Sequence, residues 1–131
     1  MKFKYNFEVR GYELDAFGHV NNAVYLNYLE QARWKIMQEI GLYEYFKTTG
    51  NFLVVVEVQI KYIKELCLFE TAFVESTFKR EGFFIVFKQD IRNDKNEKIC
   101  KATVKCLFVD KKRNALDIPE NLNEFYSDDK S

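Results

Sequence analysis

The chain has 131 residues, which fits a single domain over 1–131 and is long enough to bury a core. Hydrophobic residues make up 47% and aromatics 17%, which excludes a disordered chain. Twenty basic and twenty acidic residues cancel, so net charge gives no reason to expect a nucleic-acid partner. The longest apolar runs, at 52–56 and 83–87, are too short to cross a bilayer, and the first residues lack an apolar stretch of signal-peptide length. A cytoplasmic protein without membrane insertion is expected. Cys67, Cys100 and Cys106 are odd in number and lack framework spacing, so they read as reduced, mostly buried thiols. His19 is the only histidine, and no Cys/His cluster suggests a metal.

Phe3, Tyr5, Phe7 and Val9 alternate with Lys4, Asn6, Glu8 and Arg10, the pattern of a half-buried strand. A segment of mixed character with two glycines follows, over 11–21. From Asn22 the period changes. Tyr25, Tyr28, Leu29, Ala32, Ile36 and Ile40 follow helical spacing, with Asn27, Gln31, Lys35 and Gln38 opposite. Asn21 or Asn22 suits the helix start and Gly41 the stop. This helix of about 19 residues, roughly 28 Å long, is the one long helix in the pattern.

After residue 50 everything reads as strands. Val54, Val56, Val58, Ile60 and Tyr62 alternate with Glu57, Gln59 and Lys61, a pattern broken only at Val55. Ala72, Val74 and Phe78 mark one face of a weaker strand over 70–79, and Phe83, Ile85, Phe87 and Ile91 mark the next. A polar turn at 93–96 precedes Cys100, Ala102, Val104, Cys106 and Phe108, which alternate with Lys101, Thr103 and Lys105. The order is strand, helix, then four strands. The short connections favour antiparallel pairing, and the fold class is α+β. One helix covers one sheet face, so the other face or the open edges are expected to keep apolar surface for a second subunit.

The segment Asp15-Ala-Phe-Gly18-His-Val-Asn-Asn22-Ala-Val-Tyr25 carries the chemistry. A carboxylate precedes a helix start by about seven residues, with a turn glycine between them. A helix N-terminus offers unpaired N–H groups to developing negative charge. A carboxylate beside oxyanion donors is a minimal acyl-transfer site. By itself this spacing is common to many turns.

Residues 10–30, with Asp15, Gly18, the Val-Asn-Asn of 20–22 and the helical aromatic Tyr25, resemble the signature of the 4-hydroxybenzoyl-CoA thioesterase family of hotdog proteins. The similarity continues through 54–62, 82–87 and 109–119. It implies a hotdog fold, a five-stranded antiparallel sheet wrapped around one long helix. It also implies homodimers, often paired into tetramers, with active sites at the subunit interface. The implied activity is hydrolysis of an acyl-CoA or acyl-carrier-protein thioester, with coenzyme A only as part of the substrate and no cofactor. Position by position, Asp15 matches the catalytic aspartate. The Asn22 backbone N–H matches the oxyanion donor, Gly18 the turn glycine and Tyr25 the helical aromatic. Relatives often carry a proline and a Gly-Asp or Asp-Asp pair between the second and third strands. Here the run 64–70 keeps only Glu70 of that pattern.

A departing thiol with a pKa near ~8.5 needs little acid assistance, so one carboxylate suffices as nucleophile or general base. An aspartate at the ordinary ~3.9 is a weak base at neutral pH, and burial would have to raise it. His19 is a supporting candidate, and Glu13 is an acidic neighbour. Phe17, Phe83 and Phe84 are candidate acyl-binding residues, the last two standing where relatives often have Ser or Thr. Glu30 and Arg33 read as an i,i+3 surface pair. Lys61, Lys64, Lys79 and Arg80 are candidates for coenzyme A phosphates. The competing functions are a hotdog hydratase or dehydratase and a non-catalytic acyl-CoA-binding module.

Overall fold

The computed structural model describes residues 1–128. Five strands form one antiparallel sheet: β1 (Phe3–Glu8), β2 (Phe52–Tyr62), β3 (Thr71–Glu81), β4 (Phe84–Asn93) and β5 (Lys98–Val109). The strand order is β1-β3-β4-β5-β2, so β1 and β2 are the two edges. The long helix α1 (Asn22–Glu39) connects those edges. It lies on the sheet face formed by Phe7, Val74, Phe78, Phe87, Ile91 and Val104, all buried. This is the expected hotdog arrangement. It follows from one apolar helical stripe and one apolar face of the sheet, each burying the other. Truncating a core ring such as Phe78 or Phe87 typically costs about 3–5 kcal/mol.

Four details depart from the sequence reading. A second helix, α2 (Leu42–Thr49), follows Gly41, whose φ of 84° lets the chain turn sharply between the helices. Leu42, Tyr45 and Phe46 carry its apolar stripe, too short to register as a long period. The break at Val55 is a β-bulge. Val55 pairs with Cys106 and Glu57 with Lys105, leaving Val56 as the extra residue. The alternation therefore changes phase. Leu53 and Val55 share the inner face with Val58 and Ile60, and Val54 turns outward.

Phe83 lies in the β3–β4 turn rather than on the core face, and it is exposed. The outer sheet face is mostly polar, carrying Lys4, Lys61, Lys88 and Lys101. The exposed apolar surface concentrates instead along edge strand β2, where Val55, Val56 and Val58 are 46%, 49% and 40% exposed.

Cys100 and Cys106 are buried and Cys67 is partly buried, all as free thiols. Burial pushes the Cys100 thiol up to about 12 and that of Cys106 up to about 11, so both are neutral at physiological pH.

Candidate active site

The chemistry-bearing loop is closed on itself before the helix begins. After β1 the chain makes a 3-10 turn, Gly11–Glu13, where the sequence pattern showed only mixed character. Leu14 and Val20 form a β-bridge, and the Asn21 N–H donates to the Glu13 carbonyl at 2.9 Å. Within this closed loop the Asp15 N–H donates to the His19 carbonyl at 2.7 Å, and the Gly18 N–H donates to the Asp15 carbonyl at 3.2 Å. Gly18 has a φ of 82° with no atom within 4 Å of a β-carbon placed on it. The turn thus demands glycine for backbone reasons alone. Gly18→Val is expected to cost about 1–2 kcal/mol in thermal unfolding and to lower kcat, whereas Gly18→Asn, which tolerates left-handed backbone, keeps most activity. Equal activity in both variants would show that the loop does not need this conformation.

The Asp15 carboxylate is fixed by its own loop. Its Oδ1 accepts the backbone N–H of Phe17 at 2.8 Å and that of His19 at 3.2 Å. Among the described residues no hydrogen bond engages Oδ2. The loop is anchored in turn by Glu13, whose buried Oε1 accepts the Arg10 N–H and the Tyr28 hydroxyl, each at 2.8 Å. Burial, and then the bond to Glu13, pushes the Tyr28 hydroxyl far above its usual range, so Tyr28 remains a donor. Glu13 is therefore a structural anchor on α1 and not a second carboxylate beside Asp15. The sequence reading did not reveal this role, because the contact spans fifteen residues between a turn and a helix.

The helix start resolves the choice between the two asparagines. The Asn21 side chain accepts the Ala23 N–H at 3.0 Å and is the cap, which makes Asn22 the first helical residue. No hydrogen bond engages the Asn22 N–H among the described residues. Asp15, His19, Asn22 and Tyr25 line one open pocket of about 230 Å³ together with Tyr62, Ile63, Lys64 and Glu65. Four of the expected residues thus meet in one place. Gly18 shapes the same loop from its exposed turn.

Tyr62 is a residue that the sequence reading left out of the site. Its hydroxyl donates to the Asn22 carbonyl at 2.9 Å, and its ring meets Tyr25 edge-on at 5.5 Å. Its place at the end of the inner-facing alternation of β2 was the available signal. The Tyr25 hydroxyl accepts the Leu66 N–H at 3.1 Å. Burial raises both phenols above their ordinary value, so neither is a base at neutral pH.

The remaining candidates divide by position. Phe17 belongs to the loop, but its ring is 85% exposed. Phe83 and Phe84 sit at the far end of the β3–β4 hairpin, away from the β3 start that packs near the Asp15 loop, so this chain does not bring them to Asp15. Phe84 lies on the outer face under the Lys105 ammonium, 4.5 Å from its ring centre. Lys64 is at the pocket but is held by Glu97 at 2.8 Å, and that bond raises the lysine pKa and lowers the glutamate's. Lys61 points to the outer face beside Lys101. Lys79 and Arg80 occupy the distant end of β3.

Arg33 forms no surface pair with Glu30. It is buried and donates to Gln89 Oε1 at 3.0 Å. Helical spacing placed it three residues after Glu30, but the sheet below α1 draws it inward. In the β2–β3 connection Phe69 adopts left-handed backbone with a φ of 68°, next to the retained Glu70. Among the described residues no group of three His, Cys, Asp or Glu side chains is placed to hold a metal. No helix there is long and apolar enough to cross a membrane.

The profile of the thioesterase-like superfamily matches residues 9–125. The chain is 34% identical over 73 residues to the long-chain acyl-CoA thioesterase FadM of Escherichia coli, an alignment covering 56% of this chain and 55% of FadM. The chain thus spans about half the length of that relative. It is 36% identical over 110 residues to the putative acyl-CoA thioesterase YneP of Bacillus subtilis, covering 82% of this chain and 80% of YneP. Its fold superposes on the crystal structure of the probable thioesterase YbaW from Escherichia coli with a TM-score of 0.83. That match has 28% identity and covers 93% of this chain and 94% of YbaW. A matching profile across nearly the whole chain, on a hotdog sheet with an Asp15 loop at the helix start, places this protein in the thioesterase-like superfamily.

Proposed function

We propose that this protein hydrolyses an acyl thioester, releasing a carboxylic acid and a thiol. The observation that carries this reading is the pairing of an oriented Asp15 carboxylate with the Asn22 N–H of the α1 start in one pocket. The thioester carbonyl oxygen accepts the Asn22 N–H, where the helix dipole favours negative charge. Asp15 Oδ2 either takes a proton from water, whose oxygen forms the new C–O bond, or attacks the carbonyl carbon itself. In both cases the C–S bond breaks and the thiolate leaves with the electron pair. In the second case water then hydrolyses the mixed anhydride and frees Asp15. This chemistry uses no metal or prosthetic group.

The acyl carrier is coenzyme A or an acyl-carrier protein, and the proposed functional type is that of the 4-hydroxybenzoyl-CoA thioesterase family. The reading also includes a cytoplasmic homodimer, or a tetramer of two such dimers, joined through the apolar edge of β2. The test is release of free thiol from acyl-CoAs of graded length by the purified protein. Binding without thiol release would leave a non-catalytic acyl-CoA module, and hydration of an enoyl thioester would indicate a hydratase.

His19 serves this site through its backbone. Its N–H and C=O both bond to Asp15, and no hydrogen bond joins its imidazole to that carboxylate among the described residues. His19→Ala keeps both backbone bonds and is expected to lower kcat no more than about tenfold. A loss as deep as that of an Asp15 variant would give the imidazole a direct role.

A further inference from the structure

The oxyanion donor assigned to Asn22 is a single N–H on the first residue of α1, the place where helices fray. It serves a reaction only while its direction is fixed, since a displacement of about 1 Å can cost a hundredfold in rate. Two peptide planes meet at Asn22 and set that direction. The first carries the N–H itself, and its Asn21 carbonyl accepts the Val24 N–H at 2.9 Å. The second joins Asn22 to Ala23 and is gripped at both ends. Its N–H donates to Asn21 Oδ1 at 3.0 Å, and its carbonyl accepts the Tyr62 hydroxyl at 2.9 Å. The first two of these bonds lie within residues 21–24 and move with the helix start. The third comes from the sheet, 40 residues away in the chain.

Tyr62 is itself firmly mounted. It is the last residue of β2 and pairs with Cys100 of β5. The N–H groups of Ile63 and Lys64, just beyond it, both donate to the Ile99 carbonyl, at 2.9 and 3.0 Å. Its ring meets Tyr25 edge-on, and Tyr25 is held in turn by the Leu66 N–H. A phenol has one proton to donate, and here the Asn22 carbonyl takes it. The Tyr62 hydroxyl is therefore not a second oxyanion donor, although the residue lines the pocket. We infer that Tyr62 is a positioning residue of the reaction: its hydroxyl holds the first turn of α1 so that the Asn22 N–H stays directed at the thioester carbonyl. This role rests on the proposed acyl transfer at Asn22. It extends that chemistry to a strand outside the catalytic loop.

Two unreactive thioethers of coenzyme A provide the test, S-decyl-CoA and S-(2-oxodecyl)-CoA, which differ only by a ketone carbonyl. Wild-type protein is expected to bind the ketone about tenfold more tightly, because only the ketone accepts the Asn22 N–H. Tyr62→Phe keeps the ring on Tyr25 and removes the hydroxyl alone. It is expected to bind S-decyl-CoA as the wild type does and to lose most of the preference for the ketone. In turnover, kcat should fall about tenfold to a hundredfold while KM changes less than about twofold, and the thermal midpoint should stay within a few degrees. An undiminished preference in Tyr62→Phe, or a loss shared equally by both ligands, would overturn the inference. So would a Tyr62→Phe protein that fails to fold, because the hydroxyl would then be structural. Wild-type protein that binds the two ligands alike would instead overturn the acyl-transfer reading itself, by taking the oxyanion role from Asn22.

Discussion

Replacing Asp15 by asparagine is expected to reduce kcat about a thousandfold or more while leaving the fold intact. The amide oxygen still accepts the Phe17 and His19 N–H groups, so the loop keeps its shape. The group turned toward the pocket becomes an amide nitrogen, which neither takes a proton from water nor attacks a carbonyl. Gly18 and the Leu14–Val20 bridge are untouched, so the thermal midpoint should stay within a few degrees of the wild type. Steady-state thiol release and thermal unfolding on the same preparation check both halves. A folded variant with near-normal kcat would remove Asp15 from the chemistry, and joint loss of fold and activity would show only that the loop needs the carboxylate structurally. Label found in the Asp15 carboxylate after a single turnover in ¹⁸O-water would establish direct attack, since it requires an aspartyl anhydride that water opens at the aspartyl carbonyl.

The second large effect concerns the edge of the sheet. β2 bonds to β5 on one side only, and Val55, Val56 and Val58 are each at least two-fifths exposed along it. A long, apolar, unpaired edge is a template for another strand. Pairing β2 antiparallel with β2 of a second copy satisfies its backbone groups and covers these valines around a two-fold axis. Sedimentation at micromolar concentration is expected to give a stable species of at least twice 15.7 kDa. Val58→Lys places a charge on each side of this axis and should raise the dissociation constant about a hundredfold or more, near 3 kcal/mol. A wild-type protein that sediments as a monomer would defeat this arrangement. A Val58→Lys variant that stays fully associated would move the interface elsewhere.

The order of strand, helix and four strands was legible because these elements are written in period, and the hotdog plan followed from the family resemblance of residues 10–30. Alternating Phe3 to Val9, the helical stripe from Tyr25 to Ile40, and the Cys100 to Phe108 alternation each name their own element and buried face. Asp15, Gly18, Asn22 and Tyr25 were singled out by the same resemblance, since their spacing alone is common to many turns. They lie within one short stretch, where a loop, a turn glycine and a helix start are bound together by local hydrogen bonds. Contacts between distant segments had no such signature. That Glu13 is an anchor under Tyr28, that Tyr62 holds the Asn22 carbonyl, and that Phe83 and Phe84 lie far from Asp15 are all consequences of where strands end relative to one another.

Two further features depended on packing alone. The alternation showed a break at Val55, but only the pairing with β5 revealed it as a bulge that changes which valines face inward. Arg33 reads as a surface charge because arginine usually is one. Only the sheet beneath α1, where Gln89 donates to Ser76 Oγ and offers its Oε1 to the guanidinium, makes it a buried cation at the wall of a cavity. The sequence by itself determined the main strands, the long helix and the α+β class, since these rest on local period, and its family resemblance singled out the Asp15 loop. The tertiary structure alone decided which side chains from separate strands complete the pocket, because that depends on strand register and the burial it imposes.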